Sequence, residues 1–271
     1  GPVQDSACIR EAVCIHTKKI YDSCKDKDCI EDLRFYPTQN SQAAIERAVS
    51  IKAGSAELLY VYIDVEPVSF HRGFYTVDVR YFYKVTADAF VGAARPVEVS
   101  GLCVFDKRVI LFGSEGSAKV FSSELAVDAL DEQSLRKSNL PTAVVEVVDP
   151  IVLGMKLVDV CECHPCDCAL SEVPPCICGC FGSELCFGGE GKRIYVTLGQ
   201  FSIIRLERDS QLLMPVYDYC MPDKECACGG GHEEDPCELF RHVKFPVNEF
   251  FPPNGPAPQE GCRELKGCCR S

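Results

Sequence analysis

Residues 74–85 read FYTVDVRYFYKV, and their side chains alternate in character with a period of two. Aromatic and β-branched side chains fall on one face: Tyr75, Val77, Val79, Tyr81, Tyr83 and Val85. The other face is mixed and partly charged: Phe74, Thr76, Asp78, Arg80, Phe82 and Lys84. A period of two with residues of these types is typical of a β-strand. The segment therefore predicts a strand.

The strand pattern continues on both sides of this segment. Residues 57–66 form a second apolar run before it, and residues 67–73, from Pro67 to Gly73, form the loop of a predicted hairpin. Further strands are predicted at 97–105, 108–113, 143–149, 151–160, 193–207 and 211–219. The fold class is therefore mainly β, with antiparallel sheets arranged as a sandwich or an open barrel.

Helical signal is sparse in comparison. Residues 41–51 are rich in helix-compatible side chains, and Asn40 or Ser41 is the candidate N-cap. Residues 123–137 are the second candidate, although their leucines are irregularly spaced. We therefore expect one or two short helices, joined to the strands by cysteine-rich loops.

The composition excludes several classes of protein. The chain has 271 residues, of which 46% are apolar, and this is too many for an intrinsically disordered protein. Its 28 Lys and Arg face 40 Asp and Glu, so the formal net charge of −12 disfavours a nucleic-acid partner. No apolar run approaches the roughly 20 residues of a transmembrane helix, so we expect no membrane partner.

The chain contains 20 cysteines, which is unusual for a protein of this size. Thiols stay reduced in the cytosol, and disulfide-dense secreted scaffolds are usually shorter than about 80 residues. Between residues 30 and 160 the sequence has a single cysteine, Cys103. We therefore expect a β core that folds without cysteines, with the other thiols available for metal binding or cross-linking.

This uneven distribution divides the chain into five predicted segments. A cysteine-containing N-terminal arm (residues 1–40) precedes a β-rich core (41–160) and a cysteine-dense loop (161–190). A second β segment with a cysteine-rich loop (191–244) leads into a proline-rich extended tail (245–271) with terminal cysteines.

The densest cluster of cysteines is a candidate metal site. Cys163 and Cys166 have the two-residue gap of structural zinc sites, and the repeated C-x-C pattern is typical of thiolate clusters that hold soft metals. The candidate ligands are Cys161, Cys163, His164, Cys166, Cys168, Cys176, Cys178, Cys180 and Cys186. We expect no cofactor other than this candidate zinc.

The remaining cysteines are candidates for disulfides within and between molecules. Close neighbours are poor partners for each other, because a disulfide needs a narrow range of Cα separations. An even number of cysteines permits complete pairing, but the sequence does not give the connectivity. The candidates for cross-linking are Cys8, Cys14, Cys24, Cys29, Cys220, Cys226, Cys228, Cys237, Cys262, Cys268 and Cys269.

A thiol oxidoreductase is the third alternative, because residues 163–166 match C-x-x-C. Such a motif should open a helix, whereas the residues after it include Pro174 and Pro175 and have no helical pattern. No H-E-x-x-H or G-x-S-x-G motif occurs in the chain. We therefore predict no catalytic residue and no enzymatic activity.

Residues 14–34, which read CIHTKKIYDSCKDKDCIEDLR, resemble the opening of cysteine-rich spore-surface proteins of clostridia. The resemblance is to the proteins that form the basal layer of the exosporium. It implies a structural protein whose copies assemble into a two-dimensional lattice on the spore surface, resistant to heat and denaturant and dependent on cysteine cross-links. No catalytic residues belong to that role.

The resemblance also implies partners and a location. The main partner is the protein itself, in a homo-oligomer that forms rings and extends into a lattice, and other spore-surface proteins are further candidates. Synthesis in the reducing cytoplasm of the mother cell, followed by oxidation after lysis, is consistent with a high content of thiols.

Overall fold

The computed structural model describes residues 14–92, 95–116, 120–121, 135–136, 140–159, 173–188, 191–213, 222–224 and 236–250. Strands predominate in these residues. The strands are β1 (Ile15–Arg34), β2 (Tyr36–Pro37), β3 (Ser50–Pro67), β4 (Phe74–Phe90), β5 (Val97–Phe112), β6 (Val120–Phe121), β7 (Leu135–Arg136), β8 (Thr142–Val147), β9 (Ile151–Asp159) and β10 (Lys192–Leu212). The helices are α1 (Gln39–Arg47), α2 (Pro175–Cys178), α3 (Pro236–Arg241) and α4 (Val247–Phe250).

Two four-stranded antiparallel sheets make up most of the structure. In the first, which we call sheet A, the long strand β10 pairs with β1 on one side and with β8 and β9 on the other. In the second, sheet B, the strand order is β2, β5, β4, β3. Strands β6 and β7 form a separate pair. The prediction of a mainly β fold with antiparallel sheets is confirmed, and the sheets form a sandwich.

The hydrophobic core lies between the two sheets. The predicted buried face of β4 supplies its centre, and Val77, Tyr81, Tyr83 and Val85 are each completely buried. Apolar residues of β10, such as Leu198, pack against it from sheet A. The period of two in residues 74–85 therefore places the bulky residues of β4 inside the sandwich.

The predicted hairpin is confirmed, because β3 and β4 pair antiparallel from Ser50 opposite Phe90 to Pro67 opposite Tyr75. The predicted segments 97–105 and 108–113 belong to one strand, β5, which ends at Phe112. Strand β10 extends from Lys192 to Leu212 and includes the start of the predicted strand 211–219, of which residues 214–219 lie outside the described residues.

The structure also contains a long strand that the sequence did not predict. Strand β1 occupies residues 15–34, within the predicted N-terminal arm, and pairs with β10 along almost its whole length. Its inward face includes Asp26 and Asp28, both buried, beside the apolar Cys24 and Ile30. Charged residues at inward positions hide the apolar alternation by which strands are recognised.

The first predicted helix is confirmed, with shifted limits and a different cap. Helix α1 begins at Gln39, and the hydroxyl of Thr38, rather than Asn40 or Ser41, accepts a hydrogen bond from the Ser41 backbone N–H. The second predicted helix, 123–137, falls outside the described residues except for Leu135–Arg136, and these two residues form β7.

Candidate functional site

One disulfide connects two distant parts of the chain. Cys29 on β1 is bonded to Cys237 on α3, with a Cα separation of 5.4 Å and a sequence separation of 208. This separation lies within the usual range for a disulfide. Both cysteines are among the predicted cross-link candidates, but their pairing could not be predicted from the sequence.

This disulfide fastens a cover onto the outer face of sheet A. The cover consists of residues 236–250, which contain α3 and α4. The ring of Phe201 on β10 lies 4.7 Å from that of Phe240 and 5.5 Å from that of Phe245, measured between centroids. Gly199 makes room for the Phe240 ring, because a Cβ at position 199 would lie 3.0 Å from this ring. The bond from Cys29 to Cys237 therefore stabilises contacts that the aromatic rings already make.

A second cover lies on the outer face of sheet B and carries free thiols. We call residues 173–188 the outer cysteine segment. Its apolar residues Val173, Ile177 and Phe181 pack against Phe82 and Leu102 of the sheet. Backbone hydrogen bonds tie the segment to β2 and to the start of α1, from the Cys186 N–H to the Pro37 carbonyl (2.7 Å) and from the Gln39 N–H to the Glu184 carbonyl (2.8 Å).

The thiols of this segment differ in exposure. Cys176 and Cys180 are exposed, whereas Cys178 and Cys186 are half-buried, and all four are free. Partial burial, together with the charges of Glu46 and Glu184, raises the pKa of the Cys186 thiol. Because the thiolate is the reactive form, we expect Cys186 to react more slowly than a thiol in water.

Three other cysteines lie within or beside the sandwich. Cys103 is free and completely buried, and burial raises the pKa of its thiol well above the usual range. Cys24 is disulfide-bonded and buried in the core, and Cys14 is free and exposed. The described cysteines therefore include both closed internal bonds and thiols at the surface.

The chain is similar to Exosporium protein A of Clostridium sporogenes (strain ATCC 15579). The two sequences are 27% identical over an alignment of 267 residues, and the alignment covers 93% of this chain and 79% of the relative. No protein-family model matches the chain, and no solved structure matches it.

The remaining candidate residues lie outside the described part of the chain. Among the metal candidates these are Cys161, Cys163, His164, Cys166 and Cys168, and among the cross-link candidates they are Cys8, Cys220, Cys226, Cys228, Cys262, Cys268 and Cys269. The oxidoreductase alternative rests on Cys163 and Cys166, so it stays a prediction. Within the described residues, no helix is both long and apolar enough to cross a membrane.

The metal alternative also stays a prediction. Within the described ranges, the residues that bring three potential ligand atoms within 4.8 Å of one another are Cys29, Glu31 and Cys237. Two of these form the disulfide, so their sulfurs are not thiolates in this state. The four described cysteines of the predicted cluster, Cys176, Cys178, Cys180 and Cys186, are not brought into such a group.

A cleft of about 730 Å³ opens beside the outer cysteine segment on the outer face of sheet B. Four of its charged residues pair across neighbouring strands. Nε of Arg80 lies 2.6 Å from Oδ1 of Asp106, and Nε of Arg108 lies 2.5 Å from Oδ1 of Asp78. Each pair has a second hydrogen bond through the guanidinium, so the four side chains connect β4 and β5 across this face.

Proposed function

We propose that this chain is a structural protein of the exosporium, where copies of it form a two-dimensional layer cross-linked by disulfides. The similarity to Exosporium protein A carries the proposal, because it extends over 93% of this chain. The proposal places the protein on the spore surface and assigns it no enzymatic activity.

The distribution of thiols supports cross-linking between copies. Cys176 and Cys180 are exposed on a segment that packs firmly against sheet B, so their sulfurs can meet those of a neighbouring molecule. Cys24, Cys29 and Cys237 are already disulfide-bonded within the fold. A fold with internal bonds and surface thiols is suited to closing its own structure first and joining neighbours later.

The edge of sheet B offers a second kind of contact between copies. Strand β3 is the last strand of this sheet and exposes the side chains of Tyr60 and Tyr62. Edge strands and exposed aromatic residues are common sites of association. Contacts between unlike surfaces of neighbouring copies can extend into rings or sheets, which disulfides would then cross-link.

We propose that other spore-surface proteins bind the finished layer.

The redox conditions before and after lysis of the mother cell determine when the exposed thiols are oxidised. In the cytoplasm of the mother cell the exposed thiols stay reduced, and after lysis they meet an oxidising environment. Cross-linking after assembly lets subunits find their places before the bonds form.

Gel electrophoresis and electron microscopy of the purified full-length chain test the proposal. After oxidation and boiling, we expect a ladder of multimers without reductant that collapses to the monomer with reductant, and ordered sheets or rings in negative stain. The double variant Cys176→Ser, Cys180→Ser should shift the ladder toward smaller species. Cys103→Ala, which removes a buried thiol, is the matched control and should leave the ladder unchanged.

Dispersed monomers in both lanes would contradict the proposal. If such monomers also contained stoichiometric zinc by elemental analysis, they would favour the alternative of a metal-binding protein. That alternative rests on the C-x-C pattern of residues 161–180.

A further inference from the structure

The interior of the sandwich contains three buried charged residues in direct contact. Lys107 lies on the inward face of β5, and Asp26 and Asp28 lie two residues apart on the inward face of β1. Nζ of Lys107 is 2.7 Å from Oδ2 and 2.9 Å from Oδ1 of Asp28, and it forms an ion pair with Oδ2 of Asp26. Only 7% of Lys107 and 8% of each aspartate are exposed.

The surroundings of this group are buried and include two tyrosines. Tyr81 and Tyr83 on β4 are completely buried, and Tyr81 stacks on Phe105 at 5.8 Å between centroids. Burial chiefly, with a smaller contribution from the charge of Asp28, raises the pKa of both tyrosines, so they are neutral hydroxyls beside the charged group. Transferring three charges from water into such a site is costly, even when they pair.

Two carboxyl groups contact the one amine of Lys107. Burial disfavours the charged form of a carboxyl group, so a buried aspartate can hold its proton at a higher pH than an exposed one. Burial raises the pKa of Asp28 to about 7, which makes it the group that can accept and release a proton.

We propose that Lys107 and Asp26 condense into an intramolecular isopeptide bond, with Asp28 as the catalytic residue that transfers the protons. The inference does not depend on the proposed function, because it rests on the contacts of these three residues alone.

The step balances without an oxidant or an added reactant. Proton transfer converts the ion pair into a neutral amine and a carboxylic acid, which a buried site favours over separated charges. The amine lone pair of Lys107 attacks Cγ of Asp26 and forms a C–N bond. Asp28 takes a proton from this nitrogen and gives one to Oδ2 of Asp26, the C–O bond breaks, and one water leaves. Asp28 ends in the protonation state in which it began.

A backbone donor is in place for the charge that develops during the attack. The N–H of Lys27 donates a hydrogen bond to Oδ1 of Asp26 at 2.7 Å. This oxygen becomes the oxyanion of the tetrahedral intermediate when Oδ2 is the leaving group. Fixed donors at such an oxygen stabilise the transition state in sites that exclude water.

The bond would connect the two sheets covalently. Strand β1 belongs to sheet A and β5 to sheet B, so the link would cross the core of the sandwich. An amide is not cleaved by thiols, and the link would therefore persist where every disulfide is reduced.

Intact mass spectrometry of the fully reduced and denatured full-length chain tests the proposal. We expect a mass lower than that of the sequence by one water molecule, and a branched peptide that joins residues 26 and 107 after proteolysis. Lys156 and Asp32, an exposed pair 3.0 Å apart, are the internal control and should appear in separate linear peptides. The unmodified mass of the sequence would overturn the proposal, as would a lost water that maps to any other residue.

Two variants separate the roles of the carboxyl groups. Asp26→Asn should lose one ammonia instead of one water, because the leaving group then is the amide nitrogen. Asp28→Asn should keep the unmodified mass while its circular dichroism stays that of the wild type. Loss of water in folded Asp28→Asn would overturn the role of Asp28 as the catalytic residue.

Discussion

At the scale of single residues, Asp28 has an unusual effect on stability. Its pKa in the folded protein is about 7, against an ordinary value of 3.8, because burial disfavours the carboxylate. The folded state therefore binds more protons than the unfolded chain between these pH values. The contribution of Asp28 to stability is present below about pH 4 and is lost as the pH rises through about 7, by on the order of a few kcal/mol at most.

Urea unfolding between about pH 4 and pH 8 measures this contribution. The wild type is compared with Asp28→Asn, which keeps the shape of the side chain and removes its titration. The free energy of unfolding of the variant should fall less steeply across this range. The charged or titratable neighbours are Asp26, Lys107, Tyr81 and Tyr83. Both proteins are measured in a Lys107→Arg background, because arginine keeps the positive charge but does not form the proposed isopeptide bond, so these neighbours are the same in both. Identical slopes would show that Asp28 does not titrate in this range.

Thiol reactivity is the second property that belongs to single residues. Cys176 and Cys180 are exposed, whereas Cys103 is completely buried and its pKa is raised by burial. Under native conditions we expect iodoacetamide to modify the two exposed cysteines at least about tenfold faster than Cys103. Quantitative peptide mapping measures the rates, and the denatured protein, in which the difference should vanish, is the control. Equal rates in the native protein would contradict the burial of Cys103.

At the scale of elements, the close approach of residues 35–36 to β5 depends on a glycine. A Cβ at Gly101 would lie 2.5 Å from the carbonyl oxygen of Tyr36 and 2.6 Å from the ring of Phe35. Gly101→Ala should therefore lower the free energy of unfolding by about 1–3 kcal/mol. Gly154→Ala on β9 is the matched control, since a Cβ there meets nothing within 4 Å. Urea unfolding compares the two variants. Equal free energies of unfolding would show that residues 35–36 can move to accommodate the added Cβ.

The cover of sheet A should depend on its disulfide more than the sandwich does. Cys237→Ser removes the link between α3 and β1, and loss of a disulfide typically costs about 2–4 kcal/mol. Hydrogen exchange should rise first in α3 and α4, because local openings begin where few contacts remain. Cys176→Ser, at an exposed free thiol, should change neither stability nor exchange. Uniform loss of protection across β4 and β10 would indicate that the disulfide supports the whole fold.

The strands also show which parts of the fold could be predicted from the sequence. The strand β4 and its hairpin with β3 were predictable, because alternation survives wherever one face is apolar. Two of the misses share one cause. Asp26 and Asp28 hide strand β1, and the polar residues around Lys107 interrupt the apolar pattern of β5, although Lys107 points inward and pairs with both aspartates. A charged residue is predicted to be exposed unless its buried partner is known. Here the partners lie on β1 and β5, which are distant in sequence.

In the candidate site, too, contacts between distant segments could not be predicted. The clustering of the cysteines could be predicted from the sequence, and so could their use in disulfides. The bond between Cys29 and Cys237 spans 208 residues and depends on α3 packing over Phe201, which local sequence does not encode. Contacts between distant segments determined both the disulfide and the buried charged group.

At the scale of the whole molecule, the net charge opposes assembly. The chain carries a formal charge of −12, so copies repel one another until they are close. The screening length shortens from about 30 Å at 0.01 M salt to about 8 Å at 0.15 M. We therefore expect added salt to increase the fraction of disulfide-linked multimers formed in a fixed time of oxidation. Non-reducing gels and light scattering measure this fraction, with oxidation of a small peptide thiol as the control for the chemistry. A decrease with salt would show instead that oppositely charged surfaces hold the copies together.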